Sequence, residues 1–356
     1  MGPEIIKKII EAGVHAPSGD NVQPWEFSIA HHEIFIFNIP EREHPFYSLN
    51  SNGSLVAHGM LLENIIIAAS KFGYQAAYEL FPSVKRSHCV AKVTFKKAEY
   101  ITPDPLHAFI FERATNRRSF EKKPLSPDEE ADVLRAPKSV GVGAIALLQD
   151  RASIDAMANA VSMNEIIALG NEKIHQKFFG GIVWTEDEEH TKKSGLYLKT
   201  LELPLPVQLL FRIFRFWPVM RVLNAIGFPK NAAATNAKRY AESAAIGVIT
   251  VSGTTDKDYI ETGRIFQRVW LEATKHALGL QPLAGALYLH HRMAQSQTEF
   301  LSPEHKALLK NAYDIMVEAG GVHTEAITMI FRIGRGKSPS ARSSRMAPVI
   351  VPEHPF

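Results

Sequence analysis

The 356-residue chain contains a single cysteine, Cys89. A lone thiol excludes an intrachain disulfide and a four-thiolate metal site, and it fits a reducing compartment. No charge of one sign dominates: 40 Lys and Arg stand against 37 Asp and Glu, a net of +3. That balance is too even for an obligate nucleic-acid binder. The N-terminus shows no basic segment followed by an apolar run, so no secretory leader is read there. A clean membrane span is also missing. The nearest stretch, 203–228, is broken by Arg212, Arg215 and Arg221 and by Pro204, Pro206 and Pro218. With 46% hydrophobic and 22% charged residues, the expectation is an ordinary soluble, cytoplasmic protein of about two domains.

The patterning that is present begins at once. Ile5, Ile6, Ile9, Ile10 and Val14 recur on one helical face and Pro3 suits a first turn, so a helix is expected over 3–15. It runs into Ala16-Pro17-Ser18-Gly19-Asp20-Asn21, a series of turn formers. Residues 25–37 read as two short strands turning at His31-His32, and 90–95 alternate like a strand. The segment 58–72 is apolar on nearly every side, which places a helix inside a core. Ser126-Pro127-Asp128-Glu129 offers an N-cap, a first-turn proline and a glutamate at N3, opening a helix expected to stop at Ala136-Pro137.

Two offsets tie these pieces together. Ala136-Pro137 repeats Ala16-Pro17 at a spacing of 120, and 263–275 repeats 59–71 at a spacing of 204. In the second pair Gly59/Gly263, Ala69/Ala273 and Lys71/Lys275 coincide, as do apolar residues at 61/265, 62/266, 65/269, 66/270 and 67/271. The reading is an internal duplication, with a first half at 1–112 and a second at 113–356. The second copy carries 84 additional residues between its first and second helices, with an inserted helical lid at about 181–240. Two long copies do not make a solenoid; they read as a dimer fused into one chain.

The stretch Ala16-Pro17-Ser18-Gly19-Asp20-Asn21-Val22-Gln23-Pro24-Trp25 resembles the APSxxNxQPW signature of the nitroreductase family, whose members bind flavin mononucleotide (FMN) at a dimer interface. Arg113-Ala114-Thr115-Asn116-Arg117-Arg118-Ser119-Phe120 resembles that family's phosphate-binding arm, in the RxTNRRxF form of its double-length branch. Arg342-Ser343-Ser344-Arg345 resembles the basic element that closes over the flavin phosphate, and the run from Leu278 to Gly285 resembles the turn beside the flavin ring. The resemblance implies an α+β fold, with antiparallel-dominated sheets surrounded by helices and two tandem halves forming a single-chain pseudo-dimer, either alone or paired again. It implies ping-pong hydride transfer from NAD(P)H through FMN to a nitroaromatic, quinone or related acceptor, with no catalytic side chain and no metal demanded. The alternative within the same fold is an FMN-sequestering protein with little or no turnover.

FMN carries a dianionic phosphate at one end and a flat, hydrogen-bonding ring at the other. The phosphate calls for guanidinium groups and hydroxyls, and the candidates are Arg117, Arg118, Ser119, Arg342 and Arg345. The ring calls for close backbone and a directional amide, for which Pro17, Ser18, Gly19 and Asn21 stand on one side and Gln281, Ala284 and Gly285 on the other. Trp25 is expected in the core. The first half has the turn but begins too late to own an arm. The second has the arm, but Lys138, Gly141, Gly143 and Ile145 stand where the first half has Ser18, Asn21, Gln23 and Trp25. One complete site is therefore expected. Glu121 departs from the family, where a basic residue is usual two positions after the arm serine; a carboxylate there opposes charge on reduced flavin. Lys122 and Lys123 are the candidates to turn inward in its place.

Three other motifs carry little weight. Gly141-Val142-Gly143-Ala144-Ile145-Ala146 fits GxGxxA but is read with no strand before it and no helix after it. Gly336-Lys337-Ser338 mimics the end of a phosphate loop whose first glycine is replaced by Phe331. His323-Thr324-Glu325 lacks the spaced cysteines that a zinc deaminase requires. The added segment contains bulky, aromatic and basic residues over 205–217. It is read as a lid over the flavin or a helix packed on the body, ahead of a helix lying on a membrane surface.

Overall fold

A computed structural model of the chain describes residues 1–352, apart from 31, 44–45, 48–51, 84 and 296–297. Helix α1 (Pro3–Gly13) starts on its proline and buries Ile6, Ile9 and Ile10; it stops at Gly13 rather than His15. Strands β1 (Trp25–Ala30) and β2 (Glu33–Asn38) pair antiparallel from Trp25↔Asn38 to Ala30↔Glu33, the expected hairpin, of whose turn His31 lies outside the described residues. Helix α2 (Asn52–Lys71) begins earlier than 58 and is buried along most of its length. Strand β3 (Tyr74–Leu80), absent from the sequence reading, precedes β4 (Cys89–Lys97). Its alternate positions are exposed, and two alanines weaken the apolar alternation by which a strand is recognised.

The second half opens with α3 (Pro127–Leu134), capped as expected: Ser126 N donates to Glu129 Oε2 at 2.7 Å and Glu129 N to Ser126 Oγ at 3.4 Å. The chain does not leave helix at Ala136-Pro137. A short helix α4 (Ala136–Val140) starts there, because proline is tolerated in a first turn. Gly141 and Gly143, at φ 93° and 74°, then swing the chain into β5 (Ala144–Leu148). Helix, turn and strand follow one another in the reverse order to a dinucleotide motif, which removes that reading of the glycines.

After β5 the chain makes a long excursion through α5 (Arg151–Gly170), α6 (Glu172–Gly180), β6 (Ile182–Val183), α7 (Glu186–Lys192), β7 (Leu196–Tyr197), α8 (Leu205–Phe214), α9 (Trp217–Ala225) and α10 (Phe228–Ala241). It returns through β8 (Ala245–Val251), α11 (Asp256–Lys275), β9 (Gly279–Pro282), α12 (Gly285–Ala294), α13 (Pro303–Gly320), β10 (Ala326–Gly334) and β11 (Ile350–Val351). The two main sheets have strand orders β11-β1-β2-β4-β3 and β5-β8-β10-β9. Removing β11 leaves one order in both: β5, β8, β10 and β9 take the places of β1, β2, β4 and β3. In each, the central helix (α2 or α11) joins the second and third strands in sequence. The tight β1–β2 turn is replaced by the excursion in the second sheet.

Helices α2 and α11 cross where both carry glycine. A Cβ on Gly59 would stand 2.0 Å from the Ile260 carbonyl oxygen and 2.9 Å from Gly263 Cα; one on Gly263 would stand 2.0 Å from the Val56 oxygen and 2.9 Å from Gly59 Cα. The contact is reciprocal residue by residue. Around it one core spans both sheets, with Trp25, Phe27, Leu61, Ile65, Phe266 and Trp270 inside. Trp25 is thus a core residue, as expected. A second core forms where Ile154, Met157, Leu287 and Leu309 cover Ile246, Val248 and Ile330 of β8 and β10. One described helix is long and apolar enough to cross a membrane, α2, and it is enclosed by the protein.

The C-terminal segment decides where the site forms. From the end of β10 it crosses to the other sheet, where β11 runs parallel to β1 with Phe27↔Ile350 and Ser28↔Val351. Residues 335–349 are carried past the turn that follows α1.

Candidate functional site

That turn is sharply bent. Asp20, Asn21 and Gln23 have φ of 47°, 55° and 49°, a left-handed conformation that non-glycine residues adopt rarely and that Asn and Asp tolerate best. Hydrogen bonds over-determine it. Ser18 Oγ accepts from Gln23 N at 2.9 Å, and the Gln23 carbonyl accepts from Arg42 Nη1 at 2.9 Å. The buried Gln23 side chain donates to the Lys193 carbonyl at 2.7 Å and accepts from Met346 N at 2.9 Å. One side chain therefore ties the turn to the excursion and to the C-terminal crossing.

Beside the turn lies a cleft of about 230 Å³. Pro17, Ser18, Asp20 and Asn21 line one side, Arg113, Thr115 and Arg117 another, Arg342 to Arg345 a third, and Leu196 and Thr200 of the excursion cover it. Residues about a hundred and more than three hundred positions apart thus share one space. Arg117 Nη1 donates to the Thr200 carbonyl at 2.9 Å. Arg345 Nη1 donates to Asn21 Oδ1 at 2.7 Å, and Asn21 Nδ2 donates to the carbonyls of Ser344 and Lys193 at 3.1 and 3.3 Å. Arg113, its guanidinium 4.6 Å from the Trp270 ring centroid, donates to the His15 carbonyl at 3.0 Å.

Four guanidinium groups line this cleft, and Asp20 is the single carboxylate among its lining residues. Burial pushes Arg113 well below its ordinary range, and Arg345 and Arg342 push it further. Burial also lowers Arg117, against Asp20, and brings Arg345 down to about 10, against Glu189. His15 falls to about 4, through burial first and then Arg345 and Arg113. The Nε atoms of Arg113 and Arg345 are buried with no hydrogen-bond partner. Buried donors without acceptors and cations without carboxylates are costly. The arrangement suits an anion with several acceptor oxygens.

Arg117 also lines a larger cavity, of about 1160 Å³, together with Arg118, Ser119, Glu121, Arg239, Arg335 and Lys337. Arg118 pairs with Glu202 at 3.0 Å, and Asn116 Nδ2 holds the Lys337 carbonyl at 2.9 Å. Arg118 and Ser119 therefore face this second space rather than the cleft. Lys337, of the motif that mimics a phosphate loop, faces it too. Glu121 lines it while Lys122 and Lys123 are exposed, lining neither cavity, so neither lysine takes the inward place expected of it.

The remaining expected contacts fall elsewhere. Gly19 is exposed and outside the cleft lining. Gln281 is committed to the fully buried Arg332, accepting from its Nε at 2.8 Å, and Arg332 also donates to the Arg118 carbonyl at 2.6 Å. Gly285 lies against Asn164, where a Cβ would stand 2.6 Å from Oδ1, and Ala284 lines neither cavity. The turn at 281–285 thus supports the arm through Arg332 instead of opening onto the cleft. The sequence reading missed Arg113 and His15 as cleft residues. Arg113 stood in the quoted arm motif, and its separation from Arg117 gave no sign that both would face one space.

No protein-family model matches the chain. It is 25% identical over 349 residues to an uncharacterized protein of Mycobacterium tuberculosis, covering 97% of this chain and 48% of that protein. Over 197 residues it is 25% identical to a protein of the same organism named "Putative NAD(P)H nitroreductase acg", covering 54% of this chain and 58% of that one. The chain spans about half the length of the curated relatives it matches. Among solved structures, the FMN-dependent nitroreductase NfnB of Mycobacterium smegmatis, in complex with NADPH, aligns with 63% of this chain and 83% of its own at 13% identity and a TM-score of 0.34.

Proposed function

We propose that this chain, nitroreductase-like in its motifs and in the curated relatives it matches, is an FMN-binding oxidoreductase. It would take hydride from NAD(P)H and pass electrons to a nitroaromatic, quinone or related acceptor. The observation that carries the proposal is the convergence of Arg113, Arg117, Arg342 and Arg345 on a cleft with one lining carboxylate, next to the Pro17–Asn21 turn. Bound FMN supplies the hydride chemistry; the chain's part is to hold it. Arg345 and Arg113 have unused Nε donors for phosphate oxygens, and Arg117 exchanges its single carbonyl contact at Thr200 for a charged partner. Ser18 presents a hydroxyl from a turn already fixed by its own hydrogen bonds, and Asn21, with both amide hydrogens engaged by Lys193 and Ser344, holds Arg345 at the cleft.

The cleft at about 230 Å³ lies below the roughly 300 Å³ at which ligand pockets begin. It fits the phosphate end. A whole mononucleotide also requires space across Arg117, which divides the cleft from the larger cavity, so entry of FMN is coupled to release of Arg117 from Thr200. Two observations favour the storage alternative: Glu121 stands at the position where a basic residue is usual in the family, and the excursion covers the cleft. Purified protein incubated with FMN and freed of excess ligand gives the test. A retained flavin spectrum that bleaches anaerobically with NADH or NADPH supports the oxidoreductase. Retained flavin that stays oxidised under excess reductant assigns storage. Colourless protein rejects both.

A further inference from the structure

The excursion carries a surface that neither the cleft nor the joining of the halves uses. Helix α8 has no buried residue. Leu205 and Leu209 are 76% and 68% exposed, Leu210 and Ile213 are also exposed, and Val222 of α9 and Ile226 just after it add 65% and 73%. The expected packing on the body holds for one side only, where Phe211 and Phe214 lie against the Phe178–Phe179 cluster. An apolar patch of this kind marks an interaction site.

Charge identifies the partner. From Leu203 to Ala241 the sequence contains no Asp or Glu, whereas Arg212, Arg215, Arg221 and Lys230 are exposed there. Arg212 and Arg215 stand 5.8 and 5.7 Å from the centroid of the Trp184 ring. Of the acids near it, Glu202 is engaged with Arg118, Glu186 with Lys199 and Glu188 with Lys192. Apolar side chains bordered by cations and an aromatic ring make up a face that lies in a bilayer interface, with the cations at anionic headgroups. A second copy of the chain fits poorly, because a twofold contact presents each patch to itself and sets arginine against arginine.

We propose that α8 and α9 form a docking face for an anionic lipid bilayer. Leu205 and Gln208 also line the larger cavity, so docking brings that opening to the membrane surface. This assignment is independent of the flavin reading. The test is co-sedimentation of the full chain with vesicles of phosphatidylcholine alone and of phosphatidylcholine with phosphatidylglycerol. Binding is expected only with phosphatidylglycerol and weakens with salt. Arg212→Gln lowers the partition about fivefold, and Leu209→Glu abolishes it while leaving the urea midpoint unchanged. Equal recovery with both vesicles, binding to neither, or phosphatidylglycerol binding that survives Leu209→Glu overturns the proposal. A lipid-free dimer that Leu209→Glu splits overturns it in favour of self-association.

Discussion

Where α2 crosses α11, every buried charge has an opposite neighbour. Glu63 is enclosed between Arg264 at 2.8 Å and Arg268 at 2.6 Å; Glu261 takes a further bond from Arg264 at 2.9 Å, and Asp104 one from Arg268 at 3.0 Å. Asn64 and Gln267 close on each other at 2.6 Å. In the cleft beside Asn21, four guanidinium groups converge with one lining carboxylate, and two Nε atoms have no partner. Burial acts on both clusters but ends differently. Arg264 and Arg268 are raised despite their desolvation, because Glu63, Glu261 and Asp104 outweigh it, whereas Arg113 and Arg345 are lowered by it. The seam is completed by folding; the cleft is left with a surplus of positive charge that an anion would neutralise.

The seam should therefore break first and hardest. Gly59→Ala drives a methyl group to 2.0 Å from the Ile260 carbonyl oxygen, an atom of backbone that no rotamer change relieves. A loss above about 4 kcal/mol is expected in urea unfolding, among the largest single-residue effects, and Gly263→Ala should match it because the contact is reciprocal. Unequal losses would show that the two helices do not bear on each other alike. Next comes Glu63→Gln, which leaves Arg264 and Arg268 short of their shared carboxylate; removing one partner of a buried pair costs about 3–5 kcal/mol. A loss under about 1 kcal/mol would mean that Glu261 and Asp104 suffice.

These two positions also show what the sequence discloses and why. Gly59 and Gly263 were visible as a repeat because close helix approach demands glycine at both contact points, and the apolar residues flanking them repeat with the core. The pairing of the turn at 17–21 with the arm at 117 was visible through the resemblance to the nitroreductase family, whose motifs leave their mark in both stretches. The cover over the cleft left none. Leu196 and Thr200 form it, and it is tied down through the carbonyls of Lys193 and Thr200; backbone acceptors are the same in every sequence. The diversion of Gln281 to Arg332 was equally hidden, since nothing in the motif distinguishes a ring contact from support of a buried arginine. Strand β3 escaped through its alanines, and α4 because a proline that can end one helix can also begin the next.

Arg345→Ala sharpens the comparison from the other side. In the seam, losing one charge strands another; in the cleft it relieves crowding among cations. Stability without ligand is expected to stay within about 1 kcal/mol of the parent, because relief from desolvation offsets the lost bond to Asn21. FMN affinity should fall by about thirtyfold or more, the effect of truncating one member of a buried charge pair. Isothermal titration beside urea unfolding reads both quantities. A large stability loss with unchanged affinity would make Arg345 a structural residue and move the phosphate site elsewhere.

The smallest effect is also the most local. His15 stacks edge-on against Phe111 with centroids 4.6 Å apart, and burial, then Arg345 and Arg113, bring its pKa down to about 4. The unfolded chain binds this proton near the ordinary value of 6.5 and the folded chain does not. The stability His15 lends is therefore fully present above about pH 6.5 and is lost as pH falls towards 4. A dianion in the cleft opposes the two arginines but leaves the burial, so FMN should raise the His15 pKa without restoring 6.5. Riboflavin, which has the same ring and no phosphate, should leave it near 4. Proton NMR titration of the His15 ring in the free, FMN-bound and riboflavin-bound protein separates these outcomes. Equal shifts with both flavins would mean that the ring moved His15 by displacing solvent and that the four guanidinium groups are not the phosphate receptor.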